Sequence, residues 1–210
     1  SRLYLSPNAD SPGGFGNNYV QRFSGYFIPP ATDDYVFFLA ADDDTDFFLS
    51  TDSTAANKQL ICQESGYSPF ESWLTVGGGS SDTQKRSDQF TPDNYVTVPG
   101  QNGYHLIAGQ RYYIEAVHHQ GTGGDNVGVT YQTLNQTLDP NFSINFTNGA
   151  PSLLQATNHN IAFISYPDTT PTWTLQPTNI IVTAGAVGGF TATAVSGGDL
   201  TPNYQWYSNN

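Results

Sequence analysis

A chain of 210 residues can bury a sizeable core, and 37% hydrophobic with 14% aromatic residues is too apolar for a disordered polypeptide. Its formal net charge is −12, with six Lys and Arg in all, which excludes the clustered basic surface that nucleic acid binding needs and would repel an anionic membrane. Acidic clusters instead favour hard cations, which take oxygen ligands.

Only 11% of residues are charged, and Gly, Asn, Thr, Ser and Tyr are abundant, a balance suited to strands joined by polar turns in a secreted protein. No window carries a sustained helical period. Cys62 stands alone, so no intrachain disulfide forms, and it reads as a small buried apolar residue. The longest apolar runs, such as Tyr35 to Ala41, are too short to span a bilayer. With no methionine anywhere, a processed product or a fragment is expected.

In chain order, Tyr19 to Phe23 and Gly25 to Ile28 are extended segments that stop at Pro29-Pro30. Tyr35 to Ala40 and Phe47 to Leu49 are predicted strands meeting at an acidic turn, Ala41-Asp42-Asp43-Asp44-Thr45-Asp46. From Ser50 to Asn102 the pattern weakens. Leu60-Ile61-Cys62 and Trp73-Leu74-Thr75-Val76 look strand-like, and Gly77 to Ser81 is loop material. Leu106-Ile107, the turn Ala108-Gly109-Gln110 and the run Arg111 to His119 give the clearest strand. The glycine-rich loop Gln120 to Asn126 follows, then a strand at Val127 to Tyr131. Such an order predicts an all-β antiparallel β-sandwich.

Composition changes near Asp139-Pro140. Residues 141–170 read as a connector with one strand at Ile161 to Ile164. From Pro171 a second pattern begins with Gln176-Pro177, Ile180-Ile181-Val182, a turn at Gly185, Phe190 to Ala194 and Tyr204-Gln205-Trp206-Tyr207. Domains are therefore expected at 1–140 and 171–210.

The acidic turn is the sharpest chemical feature. An EF-hand loop from Asp42 would need glycine where Phe47 stands and glutamate where Ser53 stands, so that reading fails. Glycoside hydrolysis needs carboxyls roughly 5 to 9.5 Å apart across the scissile bond, which the neighbours Asp42 and Asp43 do not provide alone. No nucleophile elbow, H-E-x-x-H or phosphate-binding glycine loop is present. In a regular strand adjacent aspartates point to opposite faces, so converging them on a cation needs irregular backbone such as a cis peptide. Two carboxylates are too few for calcium, and the Gln120 to Asn126 loop can add amide and backbone oxygens. The residues alone fit a solvated acidic turn equally well.

Gly25-Tyr26-Phe27-Ile28-Pro29-Pro30, Asp34-Tyr35-Val36-Phe37, Ala41-Asp42-Asp43, and Leu106 to Ala116 through Gly123-Gly124-Asp125 resemble the β-sandwich domain named for anthrax protective antigen, found in flocculins, adhesins and some glycosidases. The resemblance covers residues 1–140. It implies that Asp42 and Asp43, joined by a cis peptide, bind Ca2+ with the Gln120 side chain and the carbonyls of Thr122 and Gly124, with Asp125 adding charge. The ion and the two carboxylates, together with Asn126, would then hold a glycan or polysaccharide. Two departures stand out. Asp44 replaces the glycine common after the pair, and glycines replace the aromatic that lectin members often carry in the second loop.

Residues 171–210 resemble the start of a bacterial immunoglobulin-like domain, with Trp206 as its inward tryptophan and Ala192 where antibody domains carry a disulfide cysteine. Three strands expose an apolar face, so completion by another chain or by further sequence is expected. His118 and His119 alternate across a strand, one for the core and one for solvent. Tyr67 and Trp73 read as core aromatics able to stack on a sugar, and Asn135, Asn141 and Asn145 begin sequons explained by composition. The expected function is calcium-dependent, non-catalytic carbohydrate binding by an extracellular or cell-surface adhesin-like protein, without membrane insertion. A structural subunit that self-associates by strand complementation and a targeting module of a secreted hydrolase are the alternatives.

Overall fold

The computed structural model describes residues 6–74, 77–93, 95–139, 150–163, 172–175, 178, 181–189 and 191–195. It divides into two compact units, Ser1–Phe163 and Ile164–Asn210.

The first unit is a β-sandwich of two antiparallel sheets. One has the order β1 (Asp10–Ser11), β8 (Val127–Thr133), β3 (Asp33–Ala41), β6 (Tyr104–Leu106). The other runs β5 (Lys58–Glu64), β4 (Thr45–Ser50), β7 (Tyr112–Gln120), β2 (Tyr19–Phe27), β9 (Ile161–Phe163). The extended segments on either side of Ser24 form one strand, β2, paired with β7 from Tyr19↔Gln120 to Phe27↔Tyr112. Among the described residues α-helix is confined to two short turns, α1 (Asp82–Lys85) and α2 (Leu134–Leu138), with 3-10 turns at Ala55–Asn57 and Ala156–Asn158. No helix among the described residues is long and apolar enough to cross a membrane.

The sequence of β3 explains its position. Tyr35 to Ala41 shows no apolar–polar alternation, which fits a strand covered on both faces. Tyr35, Phe37 and Leu39 join the main core with Phe27, Phe47, Ile61, Cys62 and Ile114, whereas Val36, Phe38 and Ala40 pack beneath Trp73. Rings supply much of the inter-sheet contact: Phe27 lies 5.4 Å from Phe37 and 4.9 Å from Tyr131 between centroids. Cys62 is fully buried, with Sγ donating weakly to the Phe37 carbonyl at 3.5 Å.

Two expectations change. At 73–74 there is no strand (75–76 lie outside the described residues). The Trp73 ring is buried under β3 and its Nε1–H donates to Ala150 O at 2.8 Å. The expected connector at 141–170 also belongs in part to the sandwich. Leu154 is fully buried in the main core, Ser152 donates to Val129 O at 2.5 Å, and β9 adds to β2 through Phe27↔Ile161. Apolar residues spaced among Asn, Ser and Thr hid this packing.

In the second unit, β10 (Thr172–Leu175) pairs antiparallel with β11 (Thr193–Val195), with a register break between Trp173 and Leu175. Gly185 occupies the expected turn at φ 87°, and Ile181 and Val182 lie outside any strand. Gln176-Pro177, Ile180, Phe190 and Tyr204 to Tyr207 lie outside the described residues, as do Asn141 and Asn145.

Candidate functional site

The two sheets fix where the acidic bend goes. Asp42 to Asp44 carries the chain from β3 into β4, and 121–126 carries it from β7 back to β8. Because β3 pairs with β8 and β4 with β7, the two crossings run side by side at one end of the sandwich. The terminal registers are Ala41↔Val127 and Thr45↔His118. Residues nearly eighty positions apart in sequence thereby become neighbours.

Hydrogen bonds lock the two arches together. The Asp42 N–H donates to Asn126 O at 2.8 Å, and the His119 N–H to Asp44 O at 2.8 Å. The Asp43 N–H donates to Gln120 Oε1 at 3.1 Å, and Gly121 N–H to Asp43 Oδ2 at 2.7 Å. The Asp42–Asp43 peptide is cis, as the resemblance implies. Both carboxyl groups face the glycine loop. A Cβ on Gly124 would fall 2.2 Å from Asp42 Oδ2 and one on Gly121 3.0 Å from Asp43 Oδ2, so a side chain at Gly124 would displace the Asp42 carboxyl and one at Gly121 would crowd that of Asp43.

Burial, the Asp43 charge and the hydrogen bond shared with the Asp43 carboxyl push Asp42 up to about 6. Among the described residues no ion pair compensates these two half-buried acids. Among the described residues no three His, Cys, Asp and Glu side chains converge as metal ligands. Any hard cation held here must therefore draw its other oxygens from amides and carbonyls, which is what the facing loop is made of. Gln120 is fully buried, and its Oε1 keeps a second lone pair beyond the bond from Asp43. The residues fit a hard cation. Thr122 is exposed and Gly124 lies against Asp42.

Asp125 and Asn126 also make contacts beyond the acidic pair. Asp125 Oδ1 accepts from Gly14 N–H at 2.6 Å, and Oδ2 accepts from Phe15 N–H at 2.6 Å, Gly16 N–H at 3.1 Å and the Tyr19 hydroxyl at 3.3 Å. Burial raises this carboxyl, but the backbone donors and Tyr19 outweigh it and hold it below the usual range. Its carboxylate clamps the 13–16 loop to the site, and its negative charge still contributes to raising Asp42. Asn126 is 7% exposed; its Nδ2 donates to Ser68 O at 3.3 Å, its backbone carbonyl accepts from Asp42 N–H, and its Oδ1 is buried with no hydrogen-bond partner among the described residues.

The sequence assigned one of His118 and His119 to the core without saying which, and the buried one is His118. It is fully buried, its Nε2 lies 2.9 Å from Asp42 O and its Nδ1 lies 2.9 Å from Gln21 Nε2. A carbonyl only accepts, so Nε2 carries the proton and Nδ1 accepts from Gln21. Burial lowers the ring's pKa and keeps it neutral. His119, the next residue, is exposed.

Replacing Asp125 with Ala is expected to release the 13–16 loop. Amide hydrogen exchange at Gly14, Phe15 and Gly16 should rise by at least tenfold while β3 and β7 stay protected. Unchanged exchange at those three amides would show that other contacts hold the loop.

No family model matches the chain. Fibrocystin from Mus musculus is 28% identical over 145 residues, which cover 66% of this chain and 3% of fibrocystin. Fibrocystin from Canis lupus familiaris gives the same identity and coverage. The chain thus spans a small fraction of these relatives' length. Among solved structures, the Epithelial Adhesin 6 A domain from Candida glabrata, in complex with Galβ1-3GlcNAc, superposes with a TM-score of 0.35 at 14% identity. That superposition covers 67% of this chain and 50% of the adhesin domain.

Proposed function

We propose that the first unit is a calcium-dependent carbohydrate-binding module of the protective-antigen type, non-catalytic and part of an adhesin-like extracellular protein. The observation that carries this reading is the pair of half-buried carboxyls, Asp42 and Asp43, pressed together against the Gly121 and Gly124 backbone. A solvated acidic turn would let the two charges separate into water. Here neighbouring bonds hold them together, so a divalent cation relieves their repulsion.

Asp42 and Asp43 would hold Ca2+ with Gln120 Oε1 and the carbonyls of Thr122 and Gly124, leaving Asp125 to its loop. When bound, the ion supplies a polarising centre for vicinal sugar hydroxyls. The chain's own residues fix the site: His118 and Asn126 anchor the Asp42 backbone, and Gln120 anchors that of Asp43. Shallow sites of this kind bind weakly one at a time and gain strength from repetition on a surface. Residues 171–210 are read as the beginning of an immunoglobulin-like module, supported by the β10–β11 pair.

A glycan array probed in calcium and again in EDTA tests the reading. Binding is expected in calcium and should vanish on chelation. Binding that persists in EDTA would overturn it.

A further inference from the structure

The acidic pair has an aromatic side chain on each edge of its strand. At the end of β3 the backbone alternates its partners. Asp42 N–H turns to Asn126 on the β8 edge, while Ala41 O accepts from Ser68 N–H at 2.6 Å on the other, where Asp42 bridges to Tyr67. Tyr67 is 46% exposed. Its ring lies against the 77–78 backbone so closely that a Cβ on Gly78 would come within 2.0 Å of it. One face of the ring is therefore backed by the chain.

On the β8 edge the Asp125 clamp presents Phe15, which is 57% exposed. Phe15 meets Tyr19 edge-on at 6.3 Å, Tyr19 meets His118 at 6.0 Å, and His118 contacts Asp42 O. A row of rings thus runs from Phe15 to the acidic pair. Asn18 N–H to Gly121 O at 2.7 Å ties the same loop to the glycine arch.

Sugar rings carry hydroxyls at the rim and C–H groups on the faces, and an aromatic ring complements the latter as oxygens complement the former. We infer that Phe15 and Tyr67 are platforms for the sugar residues on either side of the one held at Asp42 and Asp43, so that the ligand is an oligosaccharide. The inference rests on the carbohydrate-binding reading above.

The test uses the full chain with F15A and Y67A, and with F15Y and Y67F as conservative controls. Mannose and galactose series from mono- to tetrasaccharide are the glycan probes, and terbium luminescence reads the cation site. Wild type is expected to bind tetrasaccharides more tightly than the monosaccharide. Each alanine variant should lose roughly three- to tenfold of that gain. Monosaccharide and terbium affinities should stay unchanged, and the conservative variants should retain the gain. Alanine variants that match wild type on tetrasaccharides would overturn the inference and leave the cation site standing. Loss of terbium binding would show that the rings hold the arches together, and would equally overturn it. Wild type that takes terbium but no glycan would remove the carbohydrate-binding reading and this inference with it.

Discussion

Replacing Asp42 and Asp43 together by Asn is expected to erase the effect of calcium on the melting temperature. At a free concentration a hundredfold above its Kd, a ligand that binds only the folded state stabilises it by about 2.7 kcal/mol. For a chain of this size that raises Tm by roughly 5 to 10 °C. The double variant should show no rise. In metal-free buffer it should be no less stable than wild type, because the substitution removes the repulsion that helps push Asp42 up to about 6. The sign of the pH dependence follows. Between the usual carboxylate pKa of about 4 and this raised value, the folded wild type keeps a proton that the unfolded chain has released. Metal-free stability therefore falls as pH rises through that window. Calcium needs the ionised form, so its affinity should climb over the same range and level off above it. Scanning calorimetry against pH, with and without calcium, checks both slopes, and a calcium-induced rise in the double variant would sink the assignment of these ligands.

The largest loss of stability is expected from Phe37→Ala. Phe37 is fully buried and stacks among Phe27, Phe47 and Tyr131, joining rings from both sheets. Removing it leaves a cavity that neighbours on a continuous strand fill poorly, at a cost of about 3 to 5 kcal/mol. Urea denaturation should give a lower midpoint with an unchanged m-value. A loss below about 1 kcal/mol would mean that the two sheets collapse over the gap, contrary to the packing described. If calcium still stabilises the variant at low temperature, core and site are separable.

The strands were legible where periodicity and apolar runs agreed. Tyr35 to Ala40 and Arg111 to His119 appear as β3 and β7, with ends shifted by a residue or two. Alternation also put one of His118 and His119 inside and the other in water, and the fold shows that His118 is the inner one. It failed at Trp73, where a large apolar residue beside Leu and Val mimics a strand but serves as a lid on β3. The acidic bend was visible as chemistry, whereas its geometry depends on two sheet crossings that no local pattern encodes. Asp125 shows the limit most clearly. An aspartate in a glycine loop beside two others reads as a ligand, but its donors are backbone N–H groups of a loop more than a hundred residues earlier. Backbone donors leave no trace in side-chain identity. Tyr67 was grouped with Trp73 as core, and only the fold separates the exposed ring from the buried one.

The return of residues 150–163 to the sandwich sets where the module can be cut. A recombinant boundary drawn at 140, where composition changes, would take away the acceptor of the Trp73 indole, the Leu154 plug and the strand alongside β2. The excised fragment would carry the whole cation bend on a scaffold with an open seam. A graft onto another protein keeps its seam closed only if the junction falls after Phe163.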